Sequence, residues 1–314
     1  MTVHPGSPGS GVILHVPHSS RVIPPDARAS ILLSDADLAT ELDLMTDAHT
    51  DLLATAAASG AWLHVNPYSR LVVDPERFPD EREEMASVGM GAVYTRTSHG
   101  VPLRSTVDPS LLDRYFHPYA ASFAGLVEDR LAAVGHAVIL DIHSYPSRPL
   151  PYELHADGPR PAICLGTDTF HTPDWLVDAA RAAFAEVGDV LLDSPFAGCY
   201  VPLAHYGRDS RVAALMVEIR RDVYMSEPGG PVTDGLPAAC GDPVDIGYLD
   251  PAECYYVYGQ PPPSAQGHSG YWADPRVWTV INRVAAGLAP VPGAKISPQL
   301  VQEIVEGQEA SPAG

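Results

Sequence analysis

The stretch AVILDIHSYPS, residues 137–147, decides how the chain is laid out. It opens on a short, continuous apolar run and passes at once to Asp141, His143 and a proline. Such a run is the mark of a strand buried on both faces, the habit of parallel sheets. Its polar residues then fall at the carboxyl end of that strand. Two other stretches have the same form: VILHVPHSS (12–20) delivers His15 and His18, and VAALMVEIRRDVYM (212–225) delivers Glu218. RLVV at 70–73 and PAICL at 161–165 read as two further strands. Between them, apolar residues recur at helical spacing over Asp35–Ser59, Asp113–Val134 and Thr172–Val187. Ser34 or Asp35 suits the N-cap of the first, and Pro173 the first turn of the last. Strands alternating with helices of this length predict an α/β layered fold. Sites in such folds form outside the carboxyl ends of the strands, so the three polar-ended stretches should converge on one crevice.

Composition narrows the chemistry. A formal charge of −20 over 314 residues repels a phosphate backbone and argues against a nucleic-acid partner. Lys295 is the sole lysine, which disfavours Schiff-base chemistry and a phosphate-binding P-loop and leaves anion recognition to arginine. No apolar run is long enough to span a membrane, and the first residues lack the pattern of a signal peptide, so a cytoplasmic protein is expected. Cys164, Cys199, Cys240 and Cys254 show no metal-binding spacing and read as free thiols. GHSG at 267–270 is not the GxSxG of a serine hydrolase.

Two imidazoles and a carboxylate with one position open to water make the usual catalytic zinc set. His18 and His143 are the candidate imidazoles. His15, three residues before His18, would point to the opposite face of an extended strand, which leaves it to packing or to support behind a ligand. Asp141, two before His143, could orient that imidazole or cap the following turn. The third ligand stays open: ELDLMTDAHTD offers Glu41, Asp43, Asp47, His49 and Asp51, a set that could equally be a solvated helix face. Glu218 stands out as a carboxylate at the end of an apolar strand. Burial there is costly unless it is paired with Arg220 or Arg221 or acts as a general base on a water whose pKa a metal has lowered to about 7. Arg70 and Arg77 flank Asp74 in NPYSRLVVDPER and could grip a substrate carboxylate or form an internal ion pair. Arg96, Arg104, Arg148 and Arg211 are further anion candidates.

In this order the motifs resemble the N-formylglutamate amidohydrolases. The matching pieces are HVPHSSRVIP (15–24), MTDAHTDLL (45–53), YSRLVVDPER (68–77), GAVYTRTSHGVPLR (91–104), LDIHSYPS (140–147), SPFAGCYVP (194–202) and VEIRRDVYM (217–225). They span roughly residues 10–225. The resemblance implies a zinc-carboxypeptidase-like fold, three layers α/β/α around a mixed, mostly parallel sheet. It implies a zinc ion held by His18, Asp47 and His143, with Glu218 as general base and Arg70, Arg77 and Arg148 on the substrate. Asp141 and His15 would support the ligands from behind. The expected reaction is hydrolysis of a small N-acyl amino acid, most simply N-formyl-L-glutamate to L-glutamate and formate. The alternatives are a carboxypeptidase- or deacylase-like hydrolase of another amide and a metal-stabilised binding protein without turnover. Residues 1–314 read as a single catalytic domain, with a Pro/Gly-rich irregular segment at 226–272 and C-terminal helices within 273–306.

Overall fold

The computed structural model describes residues 2–233 apart from 59, 155 and 186. The expected Pro/Gly-rich segment beyond residue 233 and the C-terminal helices lie outside the described residues. Seven strands form one sheet: β1 (Thr2–His4), β2 (Val12–Val16), β3 (Trp62–Val65), β4 (Ala137–Tyr145), β5 (Ile163–Gly166), β6 (Val190–Leu192) and β7 (Val212–Arg220). Their spatial order is β1-β3-β2-β4-β7-β5-β6. Only β1 on β3 and β5 on β7 run antiparallel; the other neighbours are parallel. The mixed, mostly parallel sheet is therefore present, and β4 and β7 at its centre are its longest strands.

The strands alternate their side chains between two apolar faces, which is why the centre of the sheet must be covered on both sides. Val12, Leu14 and Val16 of β2 and Val138, Leu140 and Ile142 of β4 pack with α3 (Thr50–Ala57) and α5 (Asp174–Phe184). Ile13, Ala137, Ile139, Val212 and Ala214 face the other way, against Phe123, Leu126, Val127 and Leu131 of α4 (His117–Val134). This gives three layers. A π-helical turn over Leu112–Phe116 leads into α4, and the helix stops where Gly135, at φ +84°, takes the left-handed conformation that a side chain would resist.

Two expectations fail. The single helix over Asp35–Ser59 is two: α2 (Asp35–Met45), N-capped by Ser34, and α3, with Thr46–His49 between them. Thr46 is extended, His49 sits at φ 67°, and the Asp47 N–H donates to the His18 carbonyl at 3.0 Å instead of continuing the helical ladder. Tertiary bonds to Asp47 override a helical pattern. Arg70–Val73 is a turn, not a strand. Its Val72 N–H closes on the Ser69 carbonyl, while Leu71 enters one small core and Val72 and Val73 another. The run is apolar because it is buried, without having a strand partner.

Candidate active site

The carboxyl ends of β2, β4 and β7 open on a cavity of about 720 Å³ whose lining includes His18, Asp47, Arg70, Asp74, Glu76, Arg77, Asp141, His143, Glu218 and Arg221. Parallel register places His15 beside Asp141 and His143 beside Glu218. His143 and Glu218 thus reach the cavity from adjacent strands at one level. His18 arrives from the turn after β2, past Pro17, and Asp47 from the break between α2 and α3.

His18 and His143 meet through their Nδ1 atoms, 3.2 Å apart. Asp47 Oδ2 lies 3.1 Å from His143 Nδ1 and 3.6 Å from His18 Nδ1. All three side chains are buried. Behind this triangle each imidazole meets carboxylates through its other nitrogen. His18 Nε2 is 2.9 Å from Asp74 Oδ1; His143 Nε2 is 3.1 Å from Asp141 Oδ1 and 3.2 Å from Glu76 Oε2. The other oxygen of Asp47 accepts from Arg221 Nη2 at 3.0 Å, and Arg221 is itself fixed on the Leu44 carbonyl and Ser144.

The electrostatics follow from burial set against these partners. Burial opposes ionisation of Asp47, but His143, His18 and Arg221 outweigh it and hold its carboxyl well below the usual range. Burial likewise works against a protonated His143, yet Glu76, Asp141 and Asp47 raise its pKa; Asp74 and Asp47 help do the same for His18. The surrounding carboxylates thus favour positive charge on the two rings. Glu218 behaves in the opposite way. Burial pushes its carboxyl up to about 7 against the pull of His143, and its Oε2 is buried without a hydrogen-bond partner.

The other candidates separate. Arg70 donates from Nε to Tyr94 Oη at 3.0 Å and from Nη2 to Asp74 Oδ2 at 2.8 Å, while Tyr94 also donates to Asp74. Arg77 is looser, 3.6 Å from Asp74 and 3.7 Å from Glu83, and its buried Nε has no partner. Arg148 is exposed and does not line the cavity. Arg96, Arg104 and Arg211 are also absent from the lining. His15 lies behind the site: its Nδ1 is 2.8 Å from Asp141, its Nε2 is 2.6 Å from Tyr119 Oη, and its ring stacks on Phe123 and Tyr200. Glu41 is taken up by the Ser98 N–H and hydroxyl, and Asp43 by Arg21. Two residues the sequence reading did not single out matter here, Glu76 and Tyr94. Glu76 stood within DPER, two residues beyond Asp74, but only folding brings it to the far side of His143.

Three atom sets among the described residues could hold a metal ion. One is the Nδ1, Nδ1 and Asp47 Oδ2 triangle. The others join Glu76 to His18 and His143, and to His15 and Asp141. Ligand atoms around a tetrahedral zinc with bonds of about 2.0–2.1 Å stand about 3.3 Å apart, close to the three edges of the first set. That set also leaves His18 Nε2 bonded to Asp74, the arrangement that orients a metal-bound imidazole, while His143 Nε2 lies 3.1 Å from Asp141 without a hydrogen bond. The donor types therefore fit zinc.

The sheet and its covering helices match solved structures. The N-formylglutamate amidohydrolase from Ralstonia eutropha superposes with a TM-score of 0.64 at 24% identity, covering 82% of this chain and 98% of that one. A gene product of Agrobacterium tumefaciens gives 0.51 at 20% identity, over 71% of this chain and 85% of that one. No curated protein matches the sequence. The family model for N-formylglutamate amidohydrolase matches residues 10–225, a span holding every residue of the cavity named above. The chain belongs to the N-formylglutamate amidohydrolase family.

Proposed function

We propose that the protein is a zinc-dependent amidohydrolase of N-formyl (N-acyl) amino acids, with N-formyl-L-glutamate, hydrolysed to L-glutamate and formate, as the simplest case. The carrying observation is the triangle of His18 Nδ1, His143 Nδ1 and Asp47 Oδ2 with the unpartnered carboxylate of Glu218 on the neighbouring strand. A bound zinc supplies Lewis acidity, polarising the amide carbonyl and lowering the pKa of a water beside it. Glu218, raised towards neutrality by burial, is matched to take a proton from that water and pass it to the leaving nitrogen. Asp74 holds the His18 ring in orientation, Asp141 and Glu76 place negative charge beside His143 Nε2, and Arg221 holds Asp47. Arg77, the cavity arginine with an unmatched donor, binds the substrate carboxylate.

Glu76 is the rival third ligand, favoured by its buried, unpartnered Oε1. Against it, Glu76 Oε2 is 3.7 Å from His18 Nε2, where Asp74 already sits at 2.9 Å. The charges that act on Glu218 include that of Asp47 beside those of His143, Arg221 and Arg70.

The test is metal analysis joined to a formate-release assay over N-formyl amino acids. About one zinc per chain, lost in Asp47→Ala and kept in Glu76→Ala, together with formate release, is the expected result. Full zinc content in Asp47→Ala would move the third ligand to Glu76. No formate from any substrate would leave a hydrolase of another amide or a binding protein.

A further inference from the structure

We infer that the crevice takes N-formyl amino acids with a single carboxylate and a bulky apolar side chain at least as well as N-formyl-L-glutamate; this rests on reading the site as an N-formyl amino acid hydrolase. Three observations converge on it.

Size is the first. The cavity of about 720 Å³ falls among clefts of roughly 300–1,000 Å³ that enclose drug-sized ligands. A formyl group fills little beyond its own carbonyl, so the remaining space belongs to the amino-acid part of the substrate.

Charge is the second. The described lining holds eight carboxylates and three arginines. Arg70 is committed to Asp74 and Tyr94, and Arg221 to Asp47, Ser144 and the Leu44 carbonyl. Arg77 alone retains a buried donor without a partner. One carboxylate has a cation waiting for it. A second, as on a glutamate side chain, enters a wall dominated by acids and must be desolvated without a matched arginine.

The walls are the third. The lining includes Phe116, Ala120 and Ala124 from the α4 side together with Val201 and Leu203. Leu203 is 42% exposed although it lines a pocket, which leaves apolar surface for a substrate to cover. Small alanines on α4 keep this wall open.

The reaction balances as simple hydrolysis. Water adds across the amide, the C–N bond breaks, the proton passes to the leaving nitrogen, and formate and the free amino acid leave.

The experiment measures kcat/KM by formate release for N-formylglycine, N-formyl-L-leucine, N-formyl-L-phenylalanine and N-formyl-L-glutamate, using the full zinc-loaded chain and its Ala124→Leu and Ala120→Leu variants. Leucine suits a helix as well as almost any residue, so α4 should keep its structure in both. The expected result is leucine and phenylalanine substrates equal to or above the glutamate one. At least one variant should also lose tenfold more on the leucine or phenylalanine substrate than on the glycine one. A glutamate substrate tenfold better than both apolar ones, or variants that lower all substrates alike, overturns the inference and leaves the proposed function standing. Formate from none of the four overturns both.

Discussion

Strands β4 and β7 and the irregular stretch 66–111 serve the same cavity by different means. The strands place Asp141, His143 and Glu218 by register alone: the backbone is satisfied by the ladder, and each side chain inherits its position from the pleat. The irregular stretch places Asp74, Glu76, Arg70 and Arg77 with no ladder at all. Its shape is held by buried side chains that bind backbone. Arg104 donates to the Leu71 and Tyr94 carbonyls and to Ser30, Glu83 accepts from the Phe78 and Met85 N–H groups, and Glu41 of α2 accepts from Ser98. On the strands, then, chemistry and stability are separable, whereas in the coil an anchor that positions is also one that stabilises.

The largest expected effect tests the strand side. His143→Ala should reduce zinc content and formate release to background, while the metal-free protein, although it melts lower for want of Asp47's buried partner, still unfolds cooperatively because β4 keeps its ladder. Loss of cooperative unfolding in the metal-free variant would break the separation. Glu218→Gln comes next. It should lower kcat by about 10²–10⁴-fold with zinc retained, and since its Oε2 has no partner to lose, stability should hold or rise. Loss of zinc in this variant would contradict its role as base.

Arg104→Ala probes the coil. Its guanidinium is buried outside the cavity, and burial lowers its pKa to about 10. Removing it strands two carbonyls and should cost about 2–4 kcal/mol in urea unfolding. Zinc should also bind more weakly, because Asp74 loses its setting. Unchanged zinc affinity would show that the coil does not position the site.

The smallest effect is one of pH. Burial, reinforced by His15, holds the His64 imidazole down to about 3 from 6.5. A base depressed by folding contributes stability that is complete above pH 6.5. That stability is lost as pH falls towards 3, because only the unfolded chain takes up the proton. Each unit below 6.5 should remove up to about 1.4 kcal/mol relative to His64→Gln. Parallel stability curves for the two proteins between pH 7 and 5 would refute it.

Much of this was legible in the sequence, for a physical reason. An apolar run that turns polar at its carboxyl end encodes a buried strand and a residue at its mouth in the same few letters. His143 and Glu218 were therefore visible from composition and order alone, and their adjacency needed only parallel pairing. Asp47 was different. Its own neighbourhood reads as helix, and the resemblance, not the periodicity, brought it forward. Glu76 and Tyr94 carried no local signal.

By itself, then, the sequence determined strands β2, β4, β5 and β7, though not β1, β3 or β6, and the strand ends near which His18, His143 and Glu218 stand, because hydrophobic periodicity is a local property. Tertiary structure alone decided that α2 breaks before Asp47 and that Arg70–Val73 is a turn. It also decided that Arg148 stays outside the cavity while Arg221 secures Asp47. Those outcomes depend on which buried polar groups find partners far along the chain, and no local pattern records that.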